Sequence, residues 1–246
     1  MRNLKTWSLL GTLSIVVACY LPVFLCSRRT LAVLVMDDQA VEWTGTLACL
    51  IASVLFVIAY WKYSTGNDLG AIRTRRNVFL LLLGLMLFVA FGEEISWGQR
   101  ILNVATPAAV SSENVQDELN IHNLKWFTHP RSSGLLWLTS VQTLFTLFWG
   151  AYGFLIPLLC AISSAFRSWA SKVNLPIVPI YLGIGYVVNM FIWLGIASFL
   201  PAKGCIEEFA ETASEILVML IALSFLIDLR GRARTLERQD AAQPAG

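Results

Sequence analysis

The sequence predicts an all-α fold, a polytopic membrane helix bundle of about six transmembrane helices with both termini cytoplasmic. Three observations lead there. Hydrophobic residues make up 57% of the 246 and charged residues 14%, with a mean hydropathy of +0.66. Soluble domains carry about 25% charged residues, and a water-soluble body of this size cannot hide so much apolar surface. Uncharged runs of about 20 residues, enough to cross roughly 30 Å of hydrocarbon, recur along the chain. Lys and Arg are unevenly divided between alternate connecting segments, and that division sets orientation. The net charge of +2 is too weak to imply nucleic acid, so membrane lipid is the expected partner. Nine Trp and fourteen Phe suit a lipid-facing surface with interfacial belts.

The first span is placed at about 7–26. Arg2 and Lys5 precede it, and Val16-Val17-Ala18-Cys19 has the look of a lipoprotein cleavage box. The apolar run nevertheless continues to Leu25 and stops only at Arg28-Arg29, so it reads as a retained helix. The second span is 43–61. The third starts at Asn77, but Asn77–Gly92 supplies only 16 uncharged residues, about 24 Å at 1.5 Å each. The helix is therefore expected to continue to about 97, with Glu93-Glu94 at or just inside the membrane boundary. The fourth span is 135–160 and the fifth 177–200. The sixth is placed at 208–227, and residues 228–246 are expected to form a basic, flexible cytoplasmic tail. No internal repeat and no broken helix pair is evident.

With the N-terminus cytoplasmic, the inner segments carry Arg2, Lys5, Lys62, Arg73, Arg75, Arg76, Arg167, Lys172, Arg230, Arg232, Arg234 and Arg238. The outer segments carry half as many: Arg28, Arg29, Arg100, Lys125, Arg131 and Lys203. In a bacterial inner membrane the outer side is the periplasm. The loop at about 98–133 lies on that side and holds both histidines, His122 and His129. His129, ahead of Pro130, reads as an interfacial residue. The five cysteines, Cys19, Cys26, Cys49, Cys160 and Cys205, sit in or beside apolar runs without CxxC spacing, and read as small buried apolar residues. Cys26 and Cys205 share a membrane face, which leaves a disulfide open.

The sixth span is the most constrained. Ile216–Ile227 is 12 residues, so the helix must reach back through Glu215, Glu211 and Glu208 to cross. At about 100° per residue, Glu207, Glu208, Glu211 and Glu215 fall within an arc of about 100°. An arc of glutamates facing lipid is too costly, so it is expected to face the bundle interior. Glu93-Glu94 closes the third span at the same membrane face, and Gln142 and Asn189 lie at membrane depth. Packed together, these glutamates cannot all ionise. They must hold protons, a metal, or a basic partner such as Arg100 or Lys203.

In the loop, Asn114, Gln116, Glu118, Asn120 and His122 alternate with Val115, Asp117, Leu119 and Ile121, which suggests an extended segment. Asn114, Glu118 and His122 are also four apart, which suggests one helical face. Both readings stay open. A helical Glu118–His122 pair, with Glu94, can hold a divalent metal such as zinc.

The string Gly92-Glu93-Glu94-Ile95-Ser96-Trp97-Gly98-Gln99-Arg100, with Asn114, Gln116, Glu118, Asn120 and His122-Asn123, resembles a group of bacterial multi-pass membrane proteins. That resemblance covers residues 90–125 and implies no activity. The glutamate pair followed by Arg is similar to the CAAX-type intramembrane proteases, whose adjacent glutamates and histidines act in metal-dependent peptide hydrolysis. Here the Arg lies six residues after Glu94 rather than four, and that family's later histidine motifs are absent. Glu93 or Glu94 with Ser96 resembles the alkaline ceramidase-like membrane hydrolases. Those use three histidines for zinc, and this chain has two.

Three functions remain open. The first is a membrane hydrolase or transferase acting on lipid or peptide, with Glu93, Glu94, Glu211, Glu215 and His122 as acid–base groups or metal ligands. The second is a proton- or cation-coupled transporter. The third is a non-catalytic membrane subunit or assembly factor. Arg100, Gln99, Asn120, Asn123, Glu207, Glu208, Gln142 and Asn189 are expected to bind substrate or to support the site.

Overall fold

The computed structural model describes residues 2–36, 39–68, 74–128, 135–136, 138–199 and 203–242. Long runs of Leu, Val, Ile, Phe and Ala satisfy their own backbone groups as helices, and the described residues contain no strand. Helix α1 spans Arg2–Leu25, and the short α2, Arg28–Leu34, follows a cap in which Ser27 Oγ accepts from Thr30 N at 3.1 Å. Helix α3 is Ala40–Lys62, and α4, Val78–Glu94, is capped by Asn77. Two single-turn helices follow, α5 at Gln99–Leu102 and α6 at Ala108–Ser111.

The next long apolar helix starts at Val141, capped by Ser140, rather than at 135. It runs as α7 (Val141–Gly150), a π-helical segment (Ala151–Leu155) and α8 (Ile156–Ile162). The π segment has a local cause: Pro157 has no N–H to give the Gly153 carbonyl. The helix that carries Gly183 fits closely here, because a β-carbon on Gly183 would collide with that same carbonyl. The polar α9 is Ser164–Lys172, α10 is Ile180–Phe199, and α11 is Lys203–Ala242. Helix α11 does not stop at 227. It continues through the basic segment expected to be irregular, with Arg232 bonded to Asp228 one turn back at 2.7 Å.

Among the described residues four helices are long and apolar enough to cross a membrane, and α4 with the segment after it makes a fifth if the bent pair is one span. Helix α11 is central, packed on α3, α10 and α1, and α3 packs in turn on α4. Phe56, Leu87, Val16, Tyr20, Leu217, Val218 and Ile221 form the closed core. The outer faces carry Leu47, Ile51, Leu82, Leu85, Phe88, Leu144, Leu147 and Phe191, all exposed. So much apolar surface suits lipid rather than water, and the apolar helices thus point to membrane integration. Helices in lipid associate through close packing and hydrogen bonds. Ser53 Oγ donates to the Gly84 carbonyl at 2.8 Å across α3 and α4. Asn189 links three helices, accepting from Tyr20 Oη at 2.7 Å and donating to the Ala210 carbonyl at 2.8 Å and Ser214 Oγ at 2.9 Å.

At one end of the bundle, Asn67, Asn77 and Asn174 tie the α3–α4 connection to the turn before α10. The other end, formed by the starts of α3 and α11 and the end of α4, carries the glutamates. All five cysteines are free, so the disulfide left open between Cys26 and Cys205 is not formed.

Candidate functional site

The site begins where α4 breaks. The helix was expected to continue to about 97, but it ends at Glu94, and the next turn bends away by 61°. Ser96, Trp97 and Gly98 have φ of 47°, 53° and 83°, and left-handed backbone at non-glycine residues costs roughly 1–2 kcal/mol each. Side-chain packing holds the reversal. Trp97 folds back onto Gly92, where a β-carbon would come within 2.8 Å of its ring. Its Nε1 then donates to Glu93 Oε1 at 2.7 Å.

Adjacent glutamates on a helix point about 100° apart, and here they serve different neighbours. Glu93 is buried and turned to the loop. Its Oε2 accepts from the backbone N–H groups of Ile121 and His122. His122 Nδ1 lies 3.6 Å from the same oxygen, a charge contact rather than a hydrogen bond. Burial pushes the His122 imidazole toward its neutral form, but the Glu93 carboxylate, with Glu94 and Glu118 behind it, outweighs that and raises its pKa above the ordinary value.

The loop is neither of the forms the sequence left open. An isolated antiparallel bridge joins Asn114 to Leu124, and the segment between them closes into a compact turn with Asp117 at φ 59°. Asn114 Oδ1 accepts from the N–H groups of Gln116 and Glu118, while its Nδ2 donates to Asn120. Glu118 Oε2 accepts from Ser96 Oγ at 2.8 Å and Asn120 Nδ2 at 2.6 Å. Asn123 Nδ2 donates to Gln116 Oε1 at 2.6 Å. Gln99 joins Leu119 N–H to Thr106 Oγ1. The alternating polar residues thus bond to one another and fix the loop onto the broken end of α4.

Glu94 faces the other way. With Glu42, Glu208, Glu211, Thr212 and Glu215 it lines a cavity of about 20 Å³, the size that holds about one water molecule. Glu42 comes from the first turn of α3, Glu94 from the last turn of α4, and the other four from α11. Thr212 Oγ1 donates to the Val41 carbonyl at 3.1 Å, which fixes the start of α3 against α11. Glu215 Oε1 accepts from Cys49 Sγ at 3.4 Å. Arg100 joins the two halves of the site: Nη2 donates to Glu42 Oε1 at 2.6 Å and the Glu94 carbonyl at 2.8 Å, and Nη1 to Glu118 Oε1 at 3.3 Å.

Comparisons with protein-family models, curated proteins and solved structures give no match.

Glu94, Glu208, Glu211 and Glu215 meet in one cavity, with Arg100 beside it. Glu207 does not join them; it is exposed, since its direction at the edge of the glutamate arc already leaves the packed face. Gln142 is exposed in the first turn of α7, and Asn189 is committed to helix contacts. His129 and the Lys203 side chain lie outside the described residues. The set His122, Glu118 and Glu94, expected to hold a metal such as zinc, is not assembled. Among the described residues no three His, Cys, Asp or Glu side chains are placed to hold an ion, because Glu118 is engaged by Ser96, Asn120 and Arg100, and His122 faces Glu93. Sequence reading missed Glu42, which looks like an ordinary acid at a helix N-terminus. A usable signal was present: Glu42, Gly45, Cys49 and Ser53 recur at three- and four-residue spacing as one small and polar stripe on α3.

Proposed function

We propose that the chain is a multi-pass protein of the cell membrane that binds and exchanges protons at its carboxylate cavity, as the coupling site of a transporter. It crosses the membrane about six times, α10 being one span, with both termini cytoplasmic and the cavity toward the outer face. In a bacterium that is the inner membrane and the periplasmic side. The excess of Lys and Arg in the inner segments supports this orientation.

The observation that carries the reading is the cavity itself. Five carboxylates from three helices surround a space for one water, and Arg100 forms a direct ion pair with Glu42 among them. Like charges gathered in a low-dielectric interior repel strongly, which favours protons held among the carboxylates. Ligand pockets for drug-sized molecules are roughly 300–1,000 Å³, so about 20 Å³ suits protons and one water better than a lipid or peptide. The break after Glu94 adds support, since transporters place ion sites where helices are interrupted.

One observation favours the hydrolase or transferase reading instead: His122 in charge contact with Glu93, next to the cavity, is an acid–base pair at a membrane boundary. Reconstitution in liposomes separates the two. With an imposed pH gradient, the transporter reading expects proton flux that Glu94→Gln and Glu215→Gln abolish while both variants stay folded. Absence of any proton flux, together with release of product from lipid or peptide, would replace it with the enzyme.

A further inference from the structure

A second, wider cavity lies apart from the carboxylates, on the outer surface between α1 and α10. It has a volume of about 570 Å³ and is lined by Val17, Leu21, Phe24, Phe191, Ile192 and Gly195 with the ring of Tyr20. Its origin is a missing side chain: a β-carbon on Gly195 would meet nothing within 4 Å. Phe24 and Phe191, 68% and 70% exposed, stand as its walls. Tyr20 is the one lining residue with a polar group, and its hydroxyl is turned inward to Asn189 Oδ1 at 2.7 Å. The hollow therefore offers no hydrogen bond. Water needs two to four polar partners, so in a bilayer hydrocarbon fills this space.

The chain next to the hollow shows which hydrocarbon. Helix α1 ends at Leu25, and α2 opens with Arg28 and Arg29, both exposed, while Leu31 turns into the core. Arg28 is four residues beyond Phe24, at most about 14 Å of chain. Two guanidinium groups thus stand within reach of the end of an apolar groove. Guanidinium is the side chain best matched to a phosphate, which it binds through two parallel hydrogen bonds. We propose that this groove holds one acyl chain of an anionic phospholipid whose phosphate is bound by Arg28 and Arg29.

The test is native mass spectrometry of the full chain in detergent, titrated with phosphatidylglycerol or phosphatidylcholine of identical acyl chains. The wild type should bind phosphatidylglycerol about fivefold or more tightly, from about 1 kcal/mol per basic residue near an anionic lipid. Arg28→Ala with Arg29→Ala should reduce phosphatidylglycerol to the phosphatidylcholine level. Gly195→Phe fills open space, should leave the Tm unchanged, and should weaken both lipids. Equal binding of the two lipids by the wild type overturns the proposal, as does a preference that survives the arginine double variant. Gly195→Phe that binds lipid normally also overturns it, and if that variant splits a dimer instead, the groove belongs to a second copy of the chain.

Discussion

Gly45 on α3 leaves the space that the Glu215 carboxylate of α11 occupies: a β-carbon there would collide with Glu215 Oε2, and the Thr212 Cα would be 3.4 Å away. The Glu215 carboxylate is thus seated by the absence of a side chain on the facing helix. Gly45→Ala should destabilise the protein by about 1–3 kcal/mol, the usual cost of overpacking, and should abolish proton exchange. Glu215→Ala removes the obstacle, so the double variant should be more stable than the sum of the single effects predicts. Thermal unfolding of the four proteins in detergent measures this. Strict additivity would show that Gly45 and Glu215 do not share the space.

Trp97 does two things for Glu93: its ring covers Gly92 and its Nε1 donates to the carboxylate. Trp97→Phe keeps most of the ring and removes the donor. It should cost about 1.5–3 kcal/mol, the range for a hydrogen bond to a charged group. Gly92→Ala should be worse, since it expels the ring and the reversal after α4 with it. Limited proteolysis of the loop 99–128 is the readout, and cleavage should be faster in Gly92→Ala than in Trp97→Phe.

The His122–Glu93 contact makes stability depend on pH. The folded-state pKa of His122 is raised above its ordinary value of 6.5. The stabilisation from its charged form is therefore fully present below that value and is lost as pH rises through the higher, folded one. The Tm should fall on moving from mildly acidic to mildly alkaline buffer. His122→Gln should remove that part of the slope and leave the rest. An unchanged slope in the variant would show that another group titrates.

Asn189 supplies both the acceptor for Tyr20 Oη and the donor to α11. Asn189→Leu should leave the buried Tyr20 hydroxyl with only the Asn189 backbone carbonyl, at 3.4 Å, and cost about 1–3 kcal/mol. Removing both ends of the bond, with Tyr20→Phe added, should recover part of the loss. Unfolding midpoints of the three variants against wild type test this, and no recovery would mean that Asn189 acts through α11 alone.

The helical nature of the chain and its suitability for a membrane were legible in composition and run length, because lipid permits few backbone solutions and each demands a long apolar stretch. The gathering of Glu94 with Glu208, Glu211 and Glu215 followed from the same counting: spans too short without their glutamates must take them in, and lipid cannot accept the charge. The tertiary structure decided the rest. That α4 stops at Glu94 depends on Trp97 packing onto Gly92 and on loop N–H groups reaching Glu93, contacts no local pattern encodes. That the loop is a closed polar turn depends on Asn114, Glu118 and Asn120 finding one another, which alternation and four-residue spacing describe equally badly. That Glu42 belongs to the cavity and Glu207 does not depends on which face of α11 meets α3. Helix geometry fixes the angles between residues on one helix, but the rotation of that helix against its neighbours is fixed only by packing, here by Gly45 and Thr212.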